Sequence, residues 1–256
     1  MKDLNNFFNL ESQGKGSKKP QSRGKFFGYR VLGFGAGVAG AAEYVANYLV
    51  VAGGGSGGGG GQGPGPASGE RAGGAGNAGS YDPVEGYDGA PNSWPTGSPS
   101  YANPSAFGGG GGASEKPPKP TDNAPGTTSG RGGAGNPNAI TGSAVSYAGG
   151  GGGGASGYVN SAAAGSPCGT GGAGSPGPAA GTAGTTNRGG GGGGAWGAGT
   201  PVSPGHAGSG GSGFVAVRVP VCATVSVTPG GSVASCVGPA NDKVATFTAN
   251  GCLTIS

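Results

Sequence analysis

YLVVAGGGSGGGGG, residues 48–61, is the stretch that decides the fold. Its bulky apolar start reads as a strand, because β-branched side chains suit a pleated, half-buried surface. It then runs straight into glycine. A glycine run carries no Cβ, so it builds neither a side-chain core nor a stable helix, but it lets backbones approach each other closely. Further blocks stand at 108–112, 149–154 and 189–194, with Gly/Ala/Ser stretches at 72–80, 130–136, 169–177 and 205–213. The last of these leads into FVAVRV, residues 214–219, where Val215, Val217 and Val219 alternate with Ala216 and Arg218 as in a half-buried strand. Two strands thus bracket the glycine region and are expected to close it by pairing.

Composition narrows what the region between them can be. Gly (69) and Pro (21) together exceed a third of the 256 residues, more than an ordinary globular chain carries. No strict Gly-X-Y period runs through the blocks, which excludes collagen. Only 9% of residues are charged, so charge-driven disorder is absent too. The remaining solution is a packed set of polyglycine-II helices, with three residues per turn and no internal hydrogen bonds, whose outward N–H and C=O groups bond neighbouring segments. Ordering such chain costs roughly 1–2 kcal/mol per residue, and more for glycine, so flanking strands or other subunits are expected to support it.

The net charge of +4 is unevenly placed. Lys2, Lys15, Lys18, Lys19, Arg23, Lys25 and Arg30 fall in the first thirty residues, against Asp3 and Glu11. Residues 1–30 read as an extended basic arm with an apolar plug at Phe7, Phe8 and Leu10. Such arms dock on acidic protein surfaces or on nucleic acid. Residues 36–47, rich in Ala with few breakers, read as a short helix. Domain bounds follow: a basic arm at 1–47, a glycine-rich domain at 48–219 and a small β meander at 220–256.

Residues 220–256 alternate apolar and small polar positions. Pro229-Gly230-Gly231 and Asn250-Gly251 are turn signals, the second a strong hairpin signal. Three or four strands are expected, too few to stand alone. Short strands are expected beside the central glycine block at AVSYA, 144–148, and SGYVN, 156–160. Between glycine blocks, 81–107 carries Tyr81, Tyr87, Trp94, Tyr101 and Phe107 among five prolines, and 114–128 is rich in Pro and Lys. Both read as loops, and loop aromatics are candidate ligand contacts or covers for the glycine core.

Motifs for chemistry are weak. GAGVAG, residues 35–40, matches G-x-G-x-x-G, but a glycine block follows it in place of a strand and an acidic residue at the right distance. Ten acidic residues are scattered and His206 is the single histidine, so no acid–base pair is indicated. Cys168, Cys222, Cys236 and Cys252 form no C-x-x-C. The chain is therefore expected to hold no cofactor or metal and to be no enzyme. Arg30 and Glu43 interrupt the longest apolar stretch, so no membrane insertion is expected.

The opening strand YLVVA, the internal glycine blocks and the closing GGSGFVAVRV, residues 210–219, together resemble the glycine-rich domain of bacteriophage tail-fibre and virion proteins. VATFTANGCLTI, residues 244–255, resembles a β element that accompanies it. A broader likeness is to tail-tip adhesins with a polyglycine-II core. The resemblance implies a fold that is mainly β plus polyglycine-II helices: a glycine core closed by strands, with a C-terminal meander and an extended N-terminal arm. It implies a virion structural protein on the tail or capsid surface, a homotrimer by the habit of such fibres, with host attachment as its use. Phe7, Phe8, Leu10, Lys18, Lys19, Arg23, Lys25, Phe26 and Phe27 are then the anchor to other virion proteins. Tyr81, Tyr87, Trp94, Tyr101 and Phe107 become the receptor contacts. The alternatives are nucleic-acid or capsid-interior binding by the basic arm, whose Phe26, Phe27 and Tyr29 interleave with base, and an ice-binding or extracellular glycine-rich protein.

Overall fold

A computed structural model describes residues 30–32, 45–56, 72–80, 82, 84–92, 106–120, 129–155, 165, 167–177, 179–196 and 206–256 of the protein. Among these the regular structure is all β, with no helix. Nine strands occur: β1 (Arg30–Leu32), β2 (Val45–Val51), β3 (Asn136–Asn138), β4 (Val145–Tyr147), β5 (Phe214–Val219), β6 (Val225–Val227), β7 (Gly231–Val237), β8 (Asp242–Phe247) and β9 (Leu253–Ile255). An antiparallel five-stranded sheet has the order β1-β2-β5-β8-β7, and β3-β4 and β6-β9 form separate two-stranded ribbons.

The two bracketing strands pair. Tyr48 lies opposite Val217 and Val51 opposite Phe214. The glycine region is therefore one long excursion that leaves and re-enters the sheet at adjacent points. Alternation places Leu49 and Val51 inward and Val50 outward, the last 57% exposed. In β5 the completely buried residue of this middle stretch is Ala216, with Val215 and Val217 only half-buried. The small side chain faces inward because the β3-β4 ribbon packs on that side. Ile140 and Tyr147 complete a core with Leu49, Val51, Ala216 and Val244. The Tyr147 ring stacks on Phe214 at 5.5 Å and 13°, and the Arg188 guanidinium sits 5.4 Å from the Tyr147 centroid. At the far end of the sheet Arg218 Nε donates to Asp242 Oδ2 at 2.8 Å, and its other branch donates to Val237 O at 3.1 Å.

Two expectations need correction. The end of the expected helix at 36–47 is strand, since Val45, Ala46 and Asn47 belong to β2 and face Leu32, Val31 and Arg30; pairing with β1, joined by β5 from Asn47 onward, outweighs the helix preference of alanine. Residues 36–44 lie outside the described residues. The C-terminal strands are four, but not a meander. β8 is held between β5 and β7, so both its edges are taken and β9 pairs with β6 instead. Asn250-Gly251 accordingly joins strands of different sheets and closes no hairpin. The hairpin that does form, β7-β8, turns through Gly238 (φ 68°) and Asn241 (φ 53°), with Asn241 N–H donating to Gly238 O.

The glycine segments are cross-linked chiefly by main chain, and in the central segment the bonds recur every third residue. Residues 149–154 are buried and show the pattern best. Gly150 and Gly153 donate to Gly133 and Gly130, whereas Gly152 and Ala155 donate to Gly172 and Ser175. Gly110 and Ala113 donate to Gly151 and Ala148, and Gly191 and Gly194 donate to Gly149 and Gly152. This central segment thus bonds four neighbours, parallel to two and antiparallel to two, at N···O distances of 2.8–2.9 Å. Buried amides that find no strand partner are satisfied this way. Side chains close the ends: Ser129 Oγ donates to Gly154 O at 2.6 Å, and Thr170 Oγ1 accepts from Gly149 N–H at 2.9 Å.

Candidate functional site

Of the expected receptor contacts, Tyr87 and Phe107 are described; Tyr81, Trp94 and Tyr101 lie outside the described residues. So do all nine expected anchor residues, Phe7 to Phe27, the short strand expected at 156–160 and the G-x-G-x-x-G stretch. The strand expected in AVSYA is β4.

Tyr87 and Phe107 sit on two paired segments, 84–92 and 106–113. Tyr87 N–H donates to Gly112 O and Ala90 N–H to Gly109 O, which fixes an antiparallel register. That register puts the two aromatics at opposite ends of the pair, in different grooves. Tyr87, 42% exposed, borders an open groove of about 340 Å³ with Glu85 and backbone from the 54–56, 110–113, 148–151 and 189–192 segments. Phe107 borders a second, of about 330 Å³, with Asn92, Ala90 and the ends of the 152–154 and 194–195 segments. Glycine backbone makes most of the wall of the first groove and half of the second. They offer N–H and C=O groups with few side chains, which suits an extended polar ligand better than a compact apolar one. A Glu85–Asp88–Lys116 edge runs beside Tyr87, where Asp88 accepts from Gly76 N–H at 3.0 Å and lies 3.7 Å from Lys116.

One feature had no signal in the residue pattern. Glu115 and Arg131, 16 apart in sequence, form a two-pronged pair, Nη1 to Oε2 at 2.8 Å and Nη2 to Oε1 at 2.5 Å. Glu115 also accepts from Ala134 N–H at 3.0 Å, so it clips the 114–120 segment to the 129–135 segment. The hydrogen bond from Arg131 holds the Glu115 carboxyl below its ordinary pKa, against the smaller opposing effect of burial. A carboxyl lowered in the folded state stabilises above its unfolded pKa and loses that contribution as pH falls through the folded one. Thermal stability is therefore expected to drop on acidification below the ordinary carboxylate range, and Glu115→Gln to flatten that drop. Melting curves of both proteins from pH 7 downward check it; parallel curves would remove Glu115 from the account.

Among the described residues no three His, Cys, Asp or Glu side chains converge to hold a metal, and no helix is long and apolar enough to cross a membrane. All four cysteines are free thiols; Cys222, Cys236 and Cys252 are exposed, and Cys168 Sγ accepts from Gly135 N–H at 3.1 Å. No family model, curated protein or solved structure matches this chain.

Proposed function

We propose that the chain is a structural protein of a bacteriophage virion, a tail fibre, spike or capsid fibre, that displays a rigid glycine body for host attachment. The observation that carries this reading is the three-residue spacing of the main-chain bonds. Three residues per turn is the repeat of the polyproline-II-type helix, so we read the segments as a packed polyglycine-II array. Such an array supports a display role. Its rigidity comes from backbone, its interior has no room for side chains, and variable loops between segments hang from it without disturbing it. Residues 81–107 are the recognition region in this reading, and the basic, aromatic-tipped arm docks the body on other virion proteins. The assembly is a homo-oligomer, taken as a trimer from the resemblance.

Three particle-level measurements test this. Deleting residues 2–29 is expected to leave the melting temperature of the body unchanged and to abolish its incorporation into particles. Cryo-EM of wild-type particles is expected to show the arm against another virion protein with the glycine body outside. Exchanging only 93–105, which joins the paired segments 84–92 and 106–113, for another sequence of equal length is expected to leave incorporation intact and reduce adsorption to the host at least tenfold. Normal incorporation of the deletion variant would sink the anchoring role, and unchanged adsorption would sink the recognition role.

A further inference from the structure

The Asn250-Gly251 dipeptide is left without the role its sequence suggests. A two-residue Asn-Gly hairpin turn needs glycine at positive φ, but Gly251 is not among the residues with positive φ. It lies in the 248–252 connection between β8 of the main sheet and β9 of the small ribbon. Asn250 and Gly251 are both exposed. Neither engages a hydrogen bond among the described residues. Glycine also has no side chain to shield its own amide nitrogen.

From these observations we infer that Asn250 is a self-modification site in the folded protein. The deprotonated backbone nitrogen of Gly251 attacks Cγ of Asn250, forming an N–Cγ bond. The Cγ–Nδ2 bond breaks, and ammonia leaves with the transferred proton. Water then opens the resulting five-membered imide at either carbonyl. One opening leaves an ordinary aspartate in place of the asparagine. The other leaves an isoaspartyl linkage, with the side-chain carboxyl group now in the main chain. Either product carries one added negative charge, and the second lengthens the backbone by a methylene.

The surroundings make that lengthening consequential. Gly251 is packed tightly: a Cβ built on it would lie 2.7 Å from Pro229 O and 2.9 Å from the Phe247 ring. Gly230, at φ 92°, sits under the Asn250 carbonyl. A methylene inserted into the chain before Gly251 shifts that residue relative to Pro229 O and the Phe247 ring, its neighbours at the β6-β7 turn. It loosens the β6-β9 ribbon, whose ties at this end are the Thr228 N–H bond to Cys252 O and the Val227–Leu253 pair. The protein thus carries an ageing switch on its C-terminal ribbon.

Other asparagines supply internal controls. Asn187 Oδ1 accepts from the Ser212 hydroxyl and Asn138 Oδ1 accepts from Ile140 N–H, and neither precedes glycine. The test is to incubate the full chain at 37 °C between pH 7 and pH 9 and map peptides by mass. Trypsin releases residues 244–256 after Lys243. The expected result is a gain of one dalton at Asn250, faster at higher pH and at least tenfold ahead of Asn187 and Asn138, with isoaspartate detected by enzymatic methylation. Amide exchange at 225–228 and 253–255 is expected to speed up as conversion proceeds, and Asn250→Gln to abolish both changes. Asn250 remaining intact while the urea-unfolded chain converts in the same buffer would overturn the site. Conversion without faster exchange in the ribbon would overturn the switch.

Discussion

Replacing Gly151 by alanine is expected to abolish the folded protein, and replacing it by valine to do so as completely. The reason is that the first added atom already collides. A Cβ at Gly151 would overlap the Gly192 carbonyl oxygen and stand 2.6 Å from its carbon, with the Gly191 carbon at 3.2 Å. All three are backbone atoms of Gly191 and Gly192, whose main chain bonds Gly149, Gly172 and Gly55, so no side-chain rotation relieves the overlap. To admit the methyl group the central segment must part from the 189–194 segment. That costs the bonds from Gly191 to Gly149 and from Gly194 to Gly152, each leaving a buried carbonyl and amide unpaired at about 1–3 kcal/mol per group. The sum exceeds about 4 kcal/mol, in the range that unfolds a marginally stable domain. Gly191→Val is expected to be severe as well, since its Cβ would lie 2.9 Å from Gly151 N.

Gly55 and Gly177 provide the control. A Cβ at either meets nothing within 4 Å, and alanine there is expected to shift stability by no more than about 0.5 kcal/mol. Soluble yield and melting temperature of the five variants decide the matter. An unchanged melting temperature for Gly151→Ala would mean that the 149–154 segment is not held as described and would remove the basis of the proposed display role. The contrast between crowded and open glycines also separates steric packing from a general preference for flexible chain, which would treat all glycines alike.

That contrast marks the limit of what was legible in the residues. The bracketing strands were legible, because YLVVA and FVAVRV are short apolar runs cut off by glycine, and their pairing follows from closing a single excursion. That glycine segments would be bonded by main chain also followed, since no other partner exists for buried amides. Which glycine faces which carbonyl did not follow: every residue in a block is the same, so register has no side-chain pattern to set it. β3 was hidden because Pro137 demotes a strand reading; it forms as a three-residue ribbon strand opposite Ser146. The C-terminal strand order does not follow from local turn signals, which say where a chain turns but not which edge is already occupied. Glu115 and Arg131 meet only because the array aligns two segments distant in sequence.

The second large effect is expected at Tyr147, where the side-chain core and the glycine array meet. Its ring is 5% exposed, stacks on Phe214 of β5 and lies under the Arg188 guanidinium. The next residue, Ala148, adopts φ 54°, donates its N–H to Arg188 O and begins the central glycine segment. Tyr147 therefore fixes the point at which the chain passes from a ribbon packed on the sheet into backbone-bonded array. Removing the ring as Tyr147→Ala is expected to cost about 3–5 kcal/mol, the usual penalty for emptying an aromatic site in a core, including about 0.5–1.5 kcal/mol from the lost stacking on Phe214. Tyr147→Phe is expected to cost far less, because the hydroxyl makes no hydrogen bond among the described residues. The midpoint of denaturant unfolding measures both. Amide exchange distinguishes a local from a shared loss: the alanine variant is expected to lose protection at Gly149–Gly152 donors and at β5 together, because the same ring braces both. Loss confined to β5, with the glycine amides still protected, would show that the array stands without the sheet and that Tyr147 belongs to the sheet alone.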